Sequence, residues 1–158
     1  MIFDIKIEDF RRKARLVAGG HMTETPKCQT YSIVVSRETV IISLTISSLN
    51  DLEVKSGDIM NAYLTAPIRE KVWTVLDKEW GPDAGKKAII IRALYGLKSA
   101  GTAFRKHLAD CMRVIGYKYC PAYHDLWYKA EVDMDGDKYY AYVLCYVDDI
   151  LVVHNDAM

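Results

Sequence analysis

The stretch LCYVDDILVV, residues 144–153, decides the reading of this chain. Two adjacent aspartates, Asp148 and Asp149, interrupt an otherwise apolar run of β-forming residues. Side chains of a regular strand alternate between faces. A tight turn at Asp148 and Asp149 instead folds the two runs into a hairpin and turns both carboxylates toward one patch. Two buried carboxylates side by side are costly unless a cation or a donor compensates them. A divalent metal is the natural compensation, and Mg²⁺ favours one or two carboxylates together with substrate phosphates. The competing reading is a plain hairpin turn with solvated charges, because Asp is common in turns.

Working outward, LEVKSGDI (52–59) is a second β-like run that reaches Asp58, with Gly57 before it permitting close backbone approach. If the two runs are neighbours, three carboxylates converge. That is the minimum for a two-metal phosphoryl-transfer site. DLWYK (125–129) pairs with YYAYVLC (139–145) across a turn at DMDGD (133–137). DMDGD is not an EF-hand loop, which needs Gly at the sixth position and Glu at the twelfth. Here Gly136 is fourth and Leu144 twelfth, so it reads as a Gly-assisted hairpin turn.

Ser36 is a good N-cap, with Glu38 in the first turn of a helix running to Asn50. Val40, Ile41, Leu44, Ile46 and Leu49 supply its apolar side. Over 99–115, Ala103, Phe104, His107, Leu108, Cys111 and Ile115 recur at helical spacing, and Gly116 is a helix stop. VWTVL (72–76) and AIIIR (88–92) are strand-like, separated by turns at Gly81-Pro82 and Gly85. KARLVA (13–18) is a short strand that turns at Gly19-Gly20 into an irregular loop over 21–33. The succession of strands and helices before a terminal hairpin predicts an α+β fold, with helices on one side of an antiparallel sheet. Trp73, Trp80 and Trp127 read as packing residues, and Tyr140 and Tyr142 as one sheet face.

The 158 residues suit one domain; 51% are hydrophobic and 27% charged, as in ordinary globular chains. Lys plus Arg equals Asp plus Glu at 21 each, whereas nucleic-acid-binding domains are usually more basic. A basic groove can nevertheless coexist with an acidic metal site. The four cysteines form no Cys-x-x-Cys pair and read as reduced intracellular thiols. His107, Cys111, Cys120 and His124 have ligand-like spacing, but the helical pattern makes the first two core or boundary residues. Charges come too early for a signal peptide. No apolar run approaches the ~20 residues that span a membrane, so no membrane partner is expected. Both ends look cut, which suggests a fragment of a longer protein.

Five blocks, taken in order, resemble the reverse transcriptase domain of Ty1/copia-type retrotransposon polyproteins over roughly residues 11–156. They are KARLVA (13–18), YSIVVSRET (31–39), DIMNAYL (58–64), ALYGLKSA (93–100) and YVDD (146–149). The last alone is weak; the ordered set is specific. The resemblance implies a polymerase fingers and palm, with fingers roughly 11–50 and 68–98 and palm roughly 51–67 and 99–158. Thumb and RNase H regions are missing from this stretch. The implied activity is RNA-directed DNA polymerase, a nucleotidyltransferase that extends a DNA or RNA primer with deoxynucleoside triphosphates on an RNA template. By the same resemblance, Asp58, Asp148 and Asp149 bind two Mg²⁺ ions, with Mn²⁺ as a substitute. Lys13 and Arg15 meet the incoming triphosphate, although a solvated basic edge strand reads equally well. Tyr63 lies beneath the sugar and excludes a 2′-hydroxyl, with a core aromatic as the competing reading. Tyr95, Gly96 and Lys98 line the nucleotide and template, Gly96 admitting the template backbone. Tyr146 and Val147 complete the substrate-contacting set. The other implied partner is the rest of the polyprotein. The implied location is intracellular, in a cytoplasmic virus-like particle or the nucleus. The alternative is a non-catalytic remnant that keeps the fold or nucleic-acid binding. The sequence departs from the family pattern at Gly19-Gly20, His21-Met22-Thr23 and Tyr123-His124.

Overall fold

The computed structural model describes residues 2–5, 10–20, 35–123 and 125–155. Along the chain run β1 (Ile2–Ile5), β2 (Arg12–Arg15), α1 (Arg37–Leu49), β3 (Glu53–Asp58), α2 (Ala62–Thr65) and β4 (Pro67–Val75). A 3-10 segment (Lys78–Asp83), β5 (Lys87–Arg92) and α3 (Ala100–Val114) follow. The chain continues through β6 (Lys118–Tyr119), β7 (Leu126–Val132), β8 (Lys138–Tyr146) and β9 (Asp149–His154). Among the described residues every pairing is antiparallel, in keeping with the α+β class, but the strands form three sheets rather than one. The loop expected at 21–33, Cys28 and His124 lie outside the described residues.

The chain divides into two compact units, one of Met1–Tyr31 with Tyr63–His107, the other of Ser32–Ala62 with Leu108–Met158. The second unit holds the five-stranded sheet, in the order β3-β9-β8-β7-β6. Its register sets Trp127 beside Val143, Val143 beside Val152, and Cys145 beside Ile150. On that face Met112 of α3 completes a buried cluster with Trp127, Val143 and Cys145. Gly116, at φ +92, ends the helical region and donates its amide to the Arg113 carbonyl. The alternate residues Leu144, Leu151 and Val153 point to the opposite face, and Leu144 and Val153 are fully buried. Helix α1 lies against that face beside β9 and β3, where Val40 shares a cleft with Leu144 and Leu151. Helices therefore cover both faces, not one. The cause is legible in residues 144–153, whose apolar side chains occupy both phases of the alternation, so each face needs cover.

Helix α1 begins as expected. The Ser36 side chain accepts the Thr39 amide at the N-cap. Its inward side differs from expectation. Thr39, Ser43 and Ser47 are the buried residues, while Ile41, Leu44 and Leu49 are exposed. The hydroxyls of Ser43 and Ser47 donate to the carbonyls of Thr39 and Leu52, so these small side chains are buried without an unmet donor. A stripe of small residues lets a helix backbone approach a sheet closely, and here packing outweighs the apolar pattern.

In the first unit, β4 starts earlier than the sequence suggested, and its pairing with β5 is irregular between Pro67 and Val72. Ala66, Ala93, Leu94, Leu97, Ala100 and Phe104 are buried. Trp127 is a packing residue as expected, but Trp73 and Trp80 are 60% and 44% exposed. The hairpin turn at 133–137 closes through the Asp133 carboxylate, which accepts the amides of Asp135 and Asp137.

Candidate active site

The β8–β9 hairpin closes on the pair Tyr146 and Asp149, leaving Val147 and Asp148 as a two-residue loop. Val147 stands at φ +55, the left-handed sign that tight hairpin turns require at their first central position. β3 pairs with β9 so that Asp58 sits directly across from Asp149. The Ile59 amide donates to the Asp148 carbonyl at 2.8 Å. These two pairings bring all three sequence-predicted aspartates to one end of one sheet. Asp58 and Asp149 are exposed and Asp148 is half-buried. Beneath them opens a cleft of about 560 Å³, walled by Val40, Ser56, Leu144, Ile150 and Leu151. Tyr146 faces the same cleft. Gly57 does not serve the close backbone approach expected of it. A Cβ there would make only ordinary contact, 3.5 Å from the Ile150 side chain.

Three carboxylates form an all-oxygen donor set, which suits a hard divalent cation. The backbone placement fits such an ion. The side chains are not closed around one: among the described residues, no group of three or more His, Cys, Asp or Glu could hold a metal ion.

The first unit gathers several of the residues expected to contact substrate. The Arg15 guanidinium lies 6.0 Å from the centroid of the Tyr95 ring. Tyr63 meets Tyr95 edge-on at 4.7 Å, and Phe104 at 5.9 Å. Tyr63 is only half-buried, in contact with two rings on one side. Lys98 is half-buried. Lys13 lies on β2 opposite Asp4; its side chain lies outside the described residues.

Gly96 has a structural task within this chain. It stands at φ +89, and a Cβ there would fall 2.1 Å from the Ala18 carbonyl oxygen. The Ala18 amide donates to the Tyr95 carbonyl at 2.7 Å. A Cβ on Gly20 would meet the Gly96 carbonyl oxygen at 1.8 Å. What crowds Gly96 is this chain's own segment at residues 18–20. Sequence reasoning missed Gly20 and Phe104 as parts of this cluster. Phe104 was visible only as one member of a helical pattern, and the approach of Gly20 to Gly96 joins residues too far apart in sequence for a local signal.

The chain matches the profile of the family described as reverse transcriptase (RNA-dependent DNA polymerase) over residues 2–158. It is 30% identical over 154 residues to the retrovirus-related Pol polyprotein from transposon RE1 of Arabidopsis thaliana, covering 92% of this chain and 10% of that protein. It is 29% identical over 155 residues to the Pol polyprotein from transposon TNT 1-94 of Nicotiana tabacum, covering 92% of this chain and 11% of that protein. The chain thus spans about a tenth of the length of the curated relatives it matches. No solved structure matches it. No described helix is long and apolar enough to cross a membrane. With the match running the whole length, the chain belongs to the reverse transcriptase family, as found in retrotransposon Pol polyproteins.

Proposed function

We propose that this chain is the fingers and palm of an RNA-directed DNA polymerase, adding deoxynucleotides to a primer 3′ end on an RNA or DNA template. The observation that carries the reading is the pairing of Asp58 with Asp149, beside the hydrogen bond from Ile59 to Asp148. Asp58, Asp148 and Asp149 would hold two Mg²⁺ ions, or Mn²⁺ in their place. Bound there, the ions would stabilise the attacking and leaving oxygens of an in-line phosphoryl transfer. Tyr146 and Val147 set the height of the carboxylates by forming the hairpin that carries them. In the first unit, Lys13 and Arg15 supply positive charge suited to the triphosphate. Tyr63 and Tyr95, braced edge-to-face, offer a rigid surface suited to the sugar and base, and Lys98 a charge for the template side. Gly96 keeps the turn beside Tyr95 narrow. The remaining partners are the rest of the polyprotein, and the setting is an intracellular particle or the nucleus.

The test is primer extension on an RNA template with Mg²⁺, using this chain and a version continued through its natural downstream sequence. Extension by the longer chain, lost in Asp148→Asn, supports the reading. Undiminished extension by that variant would sink it. A second reading, a remnant that binds nucleic acid without copying it, draws on the departures from the family pattern at Gly19-Gly20, His21-Met22-Thr23 and Tyr123-His124. It is favoured if both versions retain a labelled primer–template yet neither extends it.

A further inference from the structure

Helix α1 carries no charged residue between Glu38 and Asp51. Its inward side is filled by Thr39, Ser43 and Ser47 with the half-buried Val40 and Ile46, and its other apolar residues turn outward. Ile41 is 51% exposed, Ile42 46%, Leu44 43% and Leu49 79%. Ile41, Leu44, Thr45, Ser48 and Leu49 line a shallow groove of about 360 Å³. A helix face turned to water ordinarily carries charge, and a contiguous apolar face without any belongs to an interface.

The strand register indicates what covers it. β9 ends at His154, which pairs with Glu53 at the start of β3. Glu53 follows the last residue of α1, Leu49, by four positions. Polypeptide continuing beyond β9 therefore leaves the sheet next to the C-terminal end of α1. The curated relatives are about ten times as long as the stretch that matches this chain. We propose that the outward face of α1 is the docking site for the polypeptide that follows Met158 in the longer protein, laid along α1 as an amphipathic helix. At about 1.5 Å per residue, the 13 residues of α1 offer a seam of roughly 20 Å, enough for three to four turns of a partner helix. The partner's contact residues would be apolar at three- and four-residue spacing, because a charge buried against this uncharged face would find no counter-ion.

The test compares Leu44→Cys in two proteins: the 158-residue chain and the same chain continued through its natural downstream sequence. Maleimide labelling is followed at each cysteine by peptide mass spectrometry, with the exposed Cys111 as the internal reference. The expected result is labelling at position 44 slowed about 10-fold in the longer chain, with Cys111 unchanged. Equal rates at position 44 in both chains overturn the proposal. So does protection in the short chain that rises with protein concentration, which would identify a second copy as the occupant. Should Leu44→Cys disturb folding, Leu49→Glu gives the same decision by thermal denaturation. It should leave the short chain's midpoint unchanged and lower that of the longer chain; equal shifts overturn the proposal. Neither readout depends on polymerase activity.

Discussion

Val147 holds a β-branched side chain at φ +55, a conformation that costs of order 1–3 kcal/mol and persists only when its surroundings fix it. The strain lies one residue before Asp148, in the loop that sets where the carboxylates stand. Val147→Gly should raise stability by about 1 kcal/mol in urea denaturation, because glycine adopts this φ freely. A lowered midpoint would show that the strain is smaller than the conformational entropy that glycine adds to the unfolded chain. Gly96→Ala should act in the opposite direction. With φ +89 and the Ala18 carbonyl 2.1 Å from the new Cβ, it should lose at least about 2 kcal/mol by the same assay. At the proposed metal positions, Asp149→Asn should abolish Mg²⁺-dependent extension in the longer chain while leaving the denaturation midpoint nearly unchanged, since Asp149 is exposed.

The capped and glycine-stopped helix ends were the most legible part of the sequence, because their signals are local. Ser36 caps α1 and Gly116 ends the helical region after α3, each by chemistry contained within a few residues. Ser36→Ala should cost about 1 kcal/mol, read from the thermal midpoint. The cap also has a pH signature. The Glu38 carboxyl is held below its usual range, first by a hydrogen bond from its own backbone and then by the Ser36 side chain. A lowered value means that the stabilisation is present above the ordinary glutamate range and fades as pH falls through the folded-state value. Ser36→Ala should narrow that acid-side loss, which thermal melts in a pH series would reveal. Packing partners were less legible. The apolar pattern of α1 suggested an inward Ile41 and Leu44, whereas Thr39, Ser43 and Ser47 face the sheet. Side-chain size set the choice, and size matters only once the facing surface is known. The pairing of Asp58 with Asp149 stayed conditional for a related reason: it joins residues about ninety apart, and no local propensity encodes such a register.

At the scale of the whole chain, zero net charge conceals a strong division. The first unit holds 15 Lys and Arg against 8 Asp and Glu, and the second 6 against 13. The net charges are therefore +7 and −7. Composition alone argued against a polyanionic partner, and averaging over both units is why. If the basic unit meets nucleic acid, binding to a primer–template should weaken with salt along a double-logarithmic slope steeper than about −2. Lys13→Gln and Arg15→Gln should each make that slope shallower by about 1. A flat dependence, measured by fluorescence anisotropy, would remove the electrostatic role assigned to β2. The two-residue loop of the β8–β9 hairpin has a further consequence, in the currency of codons. Deleting one in-frame codon between Tyr146 and Asp149 would leave one residue for the turn, too few for a hairpin, so β9 would have to shift by one residue and invert. Ile150 and Val152 would leave the cluster around Trp127 for the α1 side, and the carboxylate of Asp149 would turn away from Asp58. A triplet gained there can be taken up as a three-residue loop, whereas a single triplet lost would cost a copy of this gene the sheet and the site together.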